Sequence, residues 1–90
     1  NYLIAFDNKN AQFNNEIAKY YQLLVNDDQI IELRKEIMNT AKSQLSNGVI
    51  TPSDYLIKLD DQAKAVINKN IHQIFISKYK YLLLLNNGKI

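Results

Sequence analysis

From Phe13 to Leu45 the apolar residues recur at helical spacing, with Ile17, Leu24, Ile31, Met38 and Leu45 seven residues apart. Tyr20, Tyr21 and Ala41 extend the same side. A seven-residue interval keeps one stripe turned toward a partner helix. Leu23, Ile30, Leu33 and Ile37 form a second apolar flank, so the stripe is wider than a two-helix seam requires. After a break, Leu56, Leu59, Ala63, Val66, Ile67, Ile71, Ile74, Tyr81 and Leu85 repeat the helical pattern, broadened by Phe75 and Leu82. The predicted elements are a lead-in over 1–12, a first helix over 13–46, a tip turn over 47–51, a second helix over 52–85 and a tail over 86–90. The lead-in reads either as a frayed helical start or as extended chain.

The break falls in Ser46–Leu56, which holds Gly48 and the single proline, Pro52. Gly48 can take the left-handed backbone conformation that ends a helix. Thr51 reads as an N-cap and Pro52 as the first helical residue, where its missing N–H costs little. Asp54, three residues after Thr51, has capping-box spacing, and Ile50 with Tyr55 has the spacing of a hydrophobic staple. Two helices of nearly equal reach, each roughly 50 Å, joined by a short turn, fold back as an antiparallel hairpin. The expected fold class is therefore all-α: an antiparallel two-helix coiled-coil hairpin whose spare apolar width associates with further helices. Facing residues should have numbers adding to about 98, given the register of a tight helix–helix turn. That places Met38 beside Leu59 and Asp60, Ile31 beside Ile67, Leu24 beside Ile74 and Ile17 beside Tyr81.

Composition narrows the function. The chain has 90 residues, 47% hydrophobic and 22% charged, enough for one small domain and too apolar for a disordered segment. With no cysteine there is no disulfide and no thiolate metal site. The net charge is +2, and ten of the eleven cations are lysines scattered along the chain, without the basic stripe of a nucleic-acid binder. No apolar run approaches the roughly twenty residues of a membrane-spanning helix. Beginning at Asn1, the sequence reads as a piece of a longer protein.

Catalytic chemistry is not evident. His72 is the only histidine and reads as a surface or structural residue. Asp27-Asp28 and Asp60-Asp61 are neighbours in sequence, and neighbours on a helix point apart, so they read as solvated charge and not as an acid–base pair. Arg34 is expected to pair with Asp27, Asp28 or Glu36. Gly48 has no second glycine nearby to form a phosphate loop. Tyr20, Tyr21, Tyr79 and Tyr81 are expected to pack together at the open end of the hairpin. No enzyme, metal site or cofactor is expected.

The run "AKSQLSNGVITPSDYLIKLDDQAKAVINKNIHQIFISKYKYLLLLNNG" resembles the C-terminal periplasmic coiled-coil hairpin of the outer membrane efflux proteins, the TolC-like outer membrane factors. That family ends a long helix in Ala-x-x-x-(Leu/Tyr)-x-x-Gly, turns through Asp-(Val/Tyr)-Leu and begins another long helix. Ala41, Leu45, Gly48, Asp54, Tyr55 and Leu56 stand at those positions. The resemblance covers 11–88. It implies a homotrimeric conduit in the outer membrane, with this segment in the periplasm. Its partners would be a periplasmic adaptor protein and an inner-membrane transporter. Asn47, Gly48, Val49, Ile50 and Thr51 match the tip on which the adaptor docks. Asp54 matches an acid that lines the tunnel in some members, beside its reading as a helix cap. Those members carry a second acid three residues on, where this chain has Ile57. The rival reading is a helical-hairpin interaction module that self-associates into a bundle. An adaptor hairpin fits less well, because its tip carries an arginine and 46–56 has none.

Overall fold

The computed structural model describes the backbone of residues 2–88 and the side chains of residues 8–88. Two helices account for it: α1, Tyr2–Ser46, and α2, Pro52–Asn86, with no strand among the described residues. This is the expected all-α hairpin. The turn over 47–51 and the start of α2 at Pro52 fall where expected. The first helix begins at Tyr2 and not at Phe13, so the 1–12 lead-in is helical from Tyr2 onward. The side chains of the apolar run Tyr2–Phe6 lie outside the described residues.

The chain divides into two compact units. One comprises the described residues up to Leu24 and from Ile71, and the other is Val25–Asn70. In each, a stretch of α1 runs antiparallel to a stretch of α2. In the terminal unit Tyr20 is the centre. Its ring stacks on Phe75 at 5.1 Å and on Tyr79 at 6.0 Å, and His72 lies 5.8 Å away. Phe13 meets Tyr79 at 6.2 Å. Ile76 is buried beside them in sequence. Asn86 Nδ2 donates to Asn10 Oδ1 at 3.0 Å, a polar pair between the helices that restricts register. Tyr21 and Tyr81 stand outside this cluster, 47% and 54% exposed. The expected four-tyrosine cluster is thus a pair, Tyr20 and Tyr79, completed by phenylalanines and His72.

The unit Val25–Asn70 has a different interior. Met38, Ala41 and Ala65 are its buried apolar residues, and Asp27 is buried with them. Lys69 Nζ meets Asp28 Oδ1 at 2.7 Å and Arg34 meets Asp61 at 3.9 Å, both between the helices. These pairs add to 97 and 95, within one helical turn of the expected register. Arg34 therefore reaches across to Asp61 and does not pair within α1 as expected. Each adjacent aspartate pair splits, as helical geometry requires: Asp61 reaches Arg34 while Asp60 binds Lys64 at 2.8 Å on its own helix. Asp27 corrects the expectation of solvated charge, since it is buried and interacts within the fold.

The inward stripe of α1 matches expectation except at Tyr21, which is exposed: Ile17, Tyr20, Leu24, Ile31 and Leu45 are half-buried, Met38 and Ala41 buried. The inward stripe of α2 does not. Ile67, Ile74 and Tyr81 are 54%, 66% and 54% exposed, so they do not sit beside Ile31, Leu24 and Ile17 in a closed seam. The positions turned inward are Tyr55, Lys58, Asp61, Gln62, Ala65, Lys69, His72, Phe75, Ile76, Tyr79, Leu82, Leu83 and Asn86, so of the expected stripe only the flanking Phe75 and Leu82 are among them. This stripe is less hydrophobic than the one it displaces. It wins because its rings complement Phe13 and Tyr20 and its Lys69 complements Asp28.

Candidate functional site: the tip and the outward faces

Local chemistry fixes the tip. Gly48 has φ of +72°, a left-handed conformation that side chains rarely adopt. Its N–H donates to Leu45 O at 3.1 Å, and Val49 N–H donates to Gln44 O at 2.8 Å. These are the two bonds of a Schellman motif, which satisfy carbonyls left open at the end of α1. Three residues later the capping box closes. Asp54 N–H donates to Thr51 Oγ1 at 3.1 Å, and Thr51 N–H donates to Asp54 Oδ2 at 3.3 Å. Ile50 and Tyr55, the staple positions, are both half-buried. The Asn-Gly pair recurs at the end of α2, where Gly88 has φ of +69° and donates to Leu85 O at 3.0 Å.

Between these caps the turn presents Asn47, Gly48, Val49 and Thr51 to solvent. Val49, 68% exposed, is the most exposed of the large hydrophobic residues described. Space beside Gly48 is open: an added Cβ would meet nothing within 4 Å. The glycine is needed there for its backbone conformation and not for a close approach. Asp54 is exposed and engaged in the cap.

The outward faces are apolar to an unequal degree. On α2, Leu56, Ile57, Leu59, Val66 and Ile67 are exposed in the Val25–Asn70 unit, and Ile71, Ile74, Tyr81, Leu84 and Leu85 in the other. On α1 the exposed large hydrophobics are Tyr21, Val25, Ile30 and Leu33. An open groove of about 370 Å³ lies in the Val25–Asn70 unit, lined by Leu33, Glu36, Ile37, Thr40, Gln44 and Lys58.

Lysines decorate the aromatic unit. Lys78 lies over Phe75 and Tyr79 at 5.6 and 5.3 Å, and Lys80 donates to Tyr21 Oη at 2.6 Å. Lys19 and Lys64 hold their protons above the ordinary lysine range, because Glu16 and Asp60 respectively accept a hydrogen bond from them. Among the described residues no cluster of histidine and carboxylate side chains could hold a metal. His72 packs beside Tyr20. No described helix is long and apolar enough to cross a membrane.

Sequence periodicity missed the two cross-helix ion pairs and the buried Asp27. Their signal was available: Asp27 and Arg34 sit seven residues apart, in phase with Tyr20 and Ala41 on the inward stripe of α1. Comparison with protein-family models, curated proteins and solved structures gives no match.

Proposed function

We propose that this chain is the periplasmic helical hairpin of an outer membrane efflux or secretion channel, one wall element of a trimeric tunnel in a tripartite transport system. Its tip, 47–51, is the docking surface for the periplasmic adaptor. The observation that carries the reading is the doubly capped turn, which holds Val49 in solvent on a fixed backbone. The resemblance across 11–88 names the machinery, and the spare aliphatic surface of α2 suits a helix packed among neighbours. Asp54 is proposed to line the tunnel while capping α2. The outward face of α2 also favours a second reading, a helical-hairpin module that assembles into a bundle without any channel.

Val49→Glu in the full-length parent separates the two. Val49 is solvent-exposed at the tip, so the helices and their melting are expected to be unchanged. Under the channel reading, capture of the adaptor and pump-dependent export fall together. Unchanged export with a normal level of protein removes the docking role.

A further inference from the structure

In the unit Val25–Asn70, the side of α2 away from α1 carries Ile57, Asp60, Lys64 and Ile67, at successive spacings of three, four and three. That spacing puts them on one helix face. Ile57 and Ile67 are 61% and 54% exposed, and the Asp60 and Lys64 side chains are 60% and 68% exposed. The order along the chain is aliphatic, acid, base, aliphatic. Reversed, it becomes aliphatic, base, acid, aliphatic. An antiparallel copy therefore sets every position against its complement, whereas a parallel copy sets like charge against like.

We propose that this face binds a second copy of the chain, α2 against α2 and antiparallel about a two-fold axis. Asp60 of each copy then faces Lys64 of the other, and Ile57 faces Ile67. The contact is isologous, so each pairing occurs twice. Leu56, exposed and on the same helix face as Asp60 and Ile67, widens the apolar part. The two faces together offer on the order of 1,000 Å², the low end of specific interfaces, where weak and transient contacts fall. The Asp60–Lys64 bridge within each helix exchanges for bridges between copies without leaving either charge unpaired. The pairing is a property of the chain by itself and goes beyond the channel reading.

Sedimentation equilibrium of the 90-residue chain at low salt tests it, with helix content followed by circular dichroism. The unaltered chain is expected to pass from monomer to dimer over the micromolar range. Lys64→Asp and Asp60→Lys each oppose like charges twice across the two-fold, and each is expected to weaken the dimer at least about tenfold. The double exchange Asp60→Lys with Lys64→Asp restores the pattern and should return the dissociation constant to near its starting value. A chain that stays monomeric throughout overturns the proposal. So does a dimer indifferent to Lys64→Asp, or a double exchange that keeps its helix and does not recover. Export by the full-length parent is a separate measurement, so failure here leaves the channel reading standing.

Discussion

Tyr20 in the terminal unit touches three rings of α2, at 5.1 to 6.0 Å. In Val25–Asn70 the cross-helix contacts of known length are charged, Asp28 with Lys69 and Arg34 with Asp61, around small or flexible buried residues. Both regions pair the same two helices by different physics. Aromatic contact removes apolar area from water and does not depend on unscreened charge. Ion pairs with 32–60% of their side-chain surface in water are screened and contribute little net stability. The aromatic unit should therefore carry most of the hairpin's stability. The charged unit should set register and open first.

Tyr20→Ala is the largest expected perturbation. Loss of a half-buried ring with three aromatic neighbours should cost about 2–4 kcal/mol in urea unfolding. Hydrogen exchange should accelerate most over 13–24 and 71–86. If protection is lost first in Val25–Asn70, the assignment of stability to the rings is wrong. Next comes the tip, which neither class of contact holds. Gly48→Ala forces a side chain into a left-handed conformation and should cost about 1–2 kcal/mol, with no steric clash to add to it. Thr51→Ala removes one half of the capping box, for about 1 kcal/mol, read as faster exchange of the Asp54 amide. Asn at position 51 should recover most of that loss, because its side-chain oxygen can accept the same bond.

Salt gives the smallest effect and the sharpest contrast. Between 0.1 and 1 M the screening length falls from about 10 Å to about 3 Å. Amides of Val25–Asn70 should then exchange several-fold faster, while those around Tyr20 stay unchanged. Lys69→Ala should abolish part of that salt response and leave the aromatic unit alone. Equal salt sensitivity in both units would erase the distinction between them.

Much of this fold is legible in local pattern. Gly48, Thr51, Pro52 and Asp54 specify the reversal through backbone conformations and hydrogen bonds that span at most five residues. Their partners are near in sequence, so residue type and spacing suffice. The inward stripe of α1 is also legible, since its heptad run of Ile17, Leu24, Ile31, Met38 and Leu45 is longer than the flanking run of Leu23, Ile30 and Ile37. On α2 the more hydrophobic stripe, with Ile67, Ile74 and Tyr81, faces outward. Periodicity ranks stripes by hydrophobicity. It cannot weigh which stripe finds shape and charge complements on another helix.

The candidate site divides in the same way. The tip residues 47–51 and the cap role of Asp54 follow from sequence alone. The exposure of Val49 and the open space beside Gly48 depend on where other atoms lie. Sequence by itself determined two helices, the place of the turn and the chemistry that caps it, because those interactions close within a few residues. Tertiary structure decided which face of α2 is buried, that Asp27 is inside, and that Arg34 crosses to Asp61. Those outcomes depend on the fit between side chains many residues apart, and packing settles them only once both helices are present.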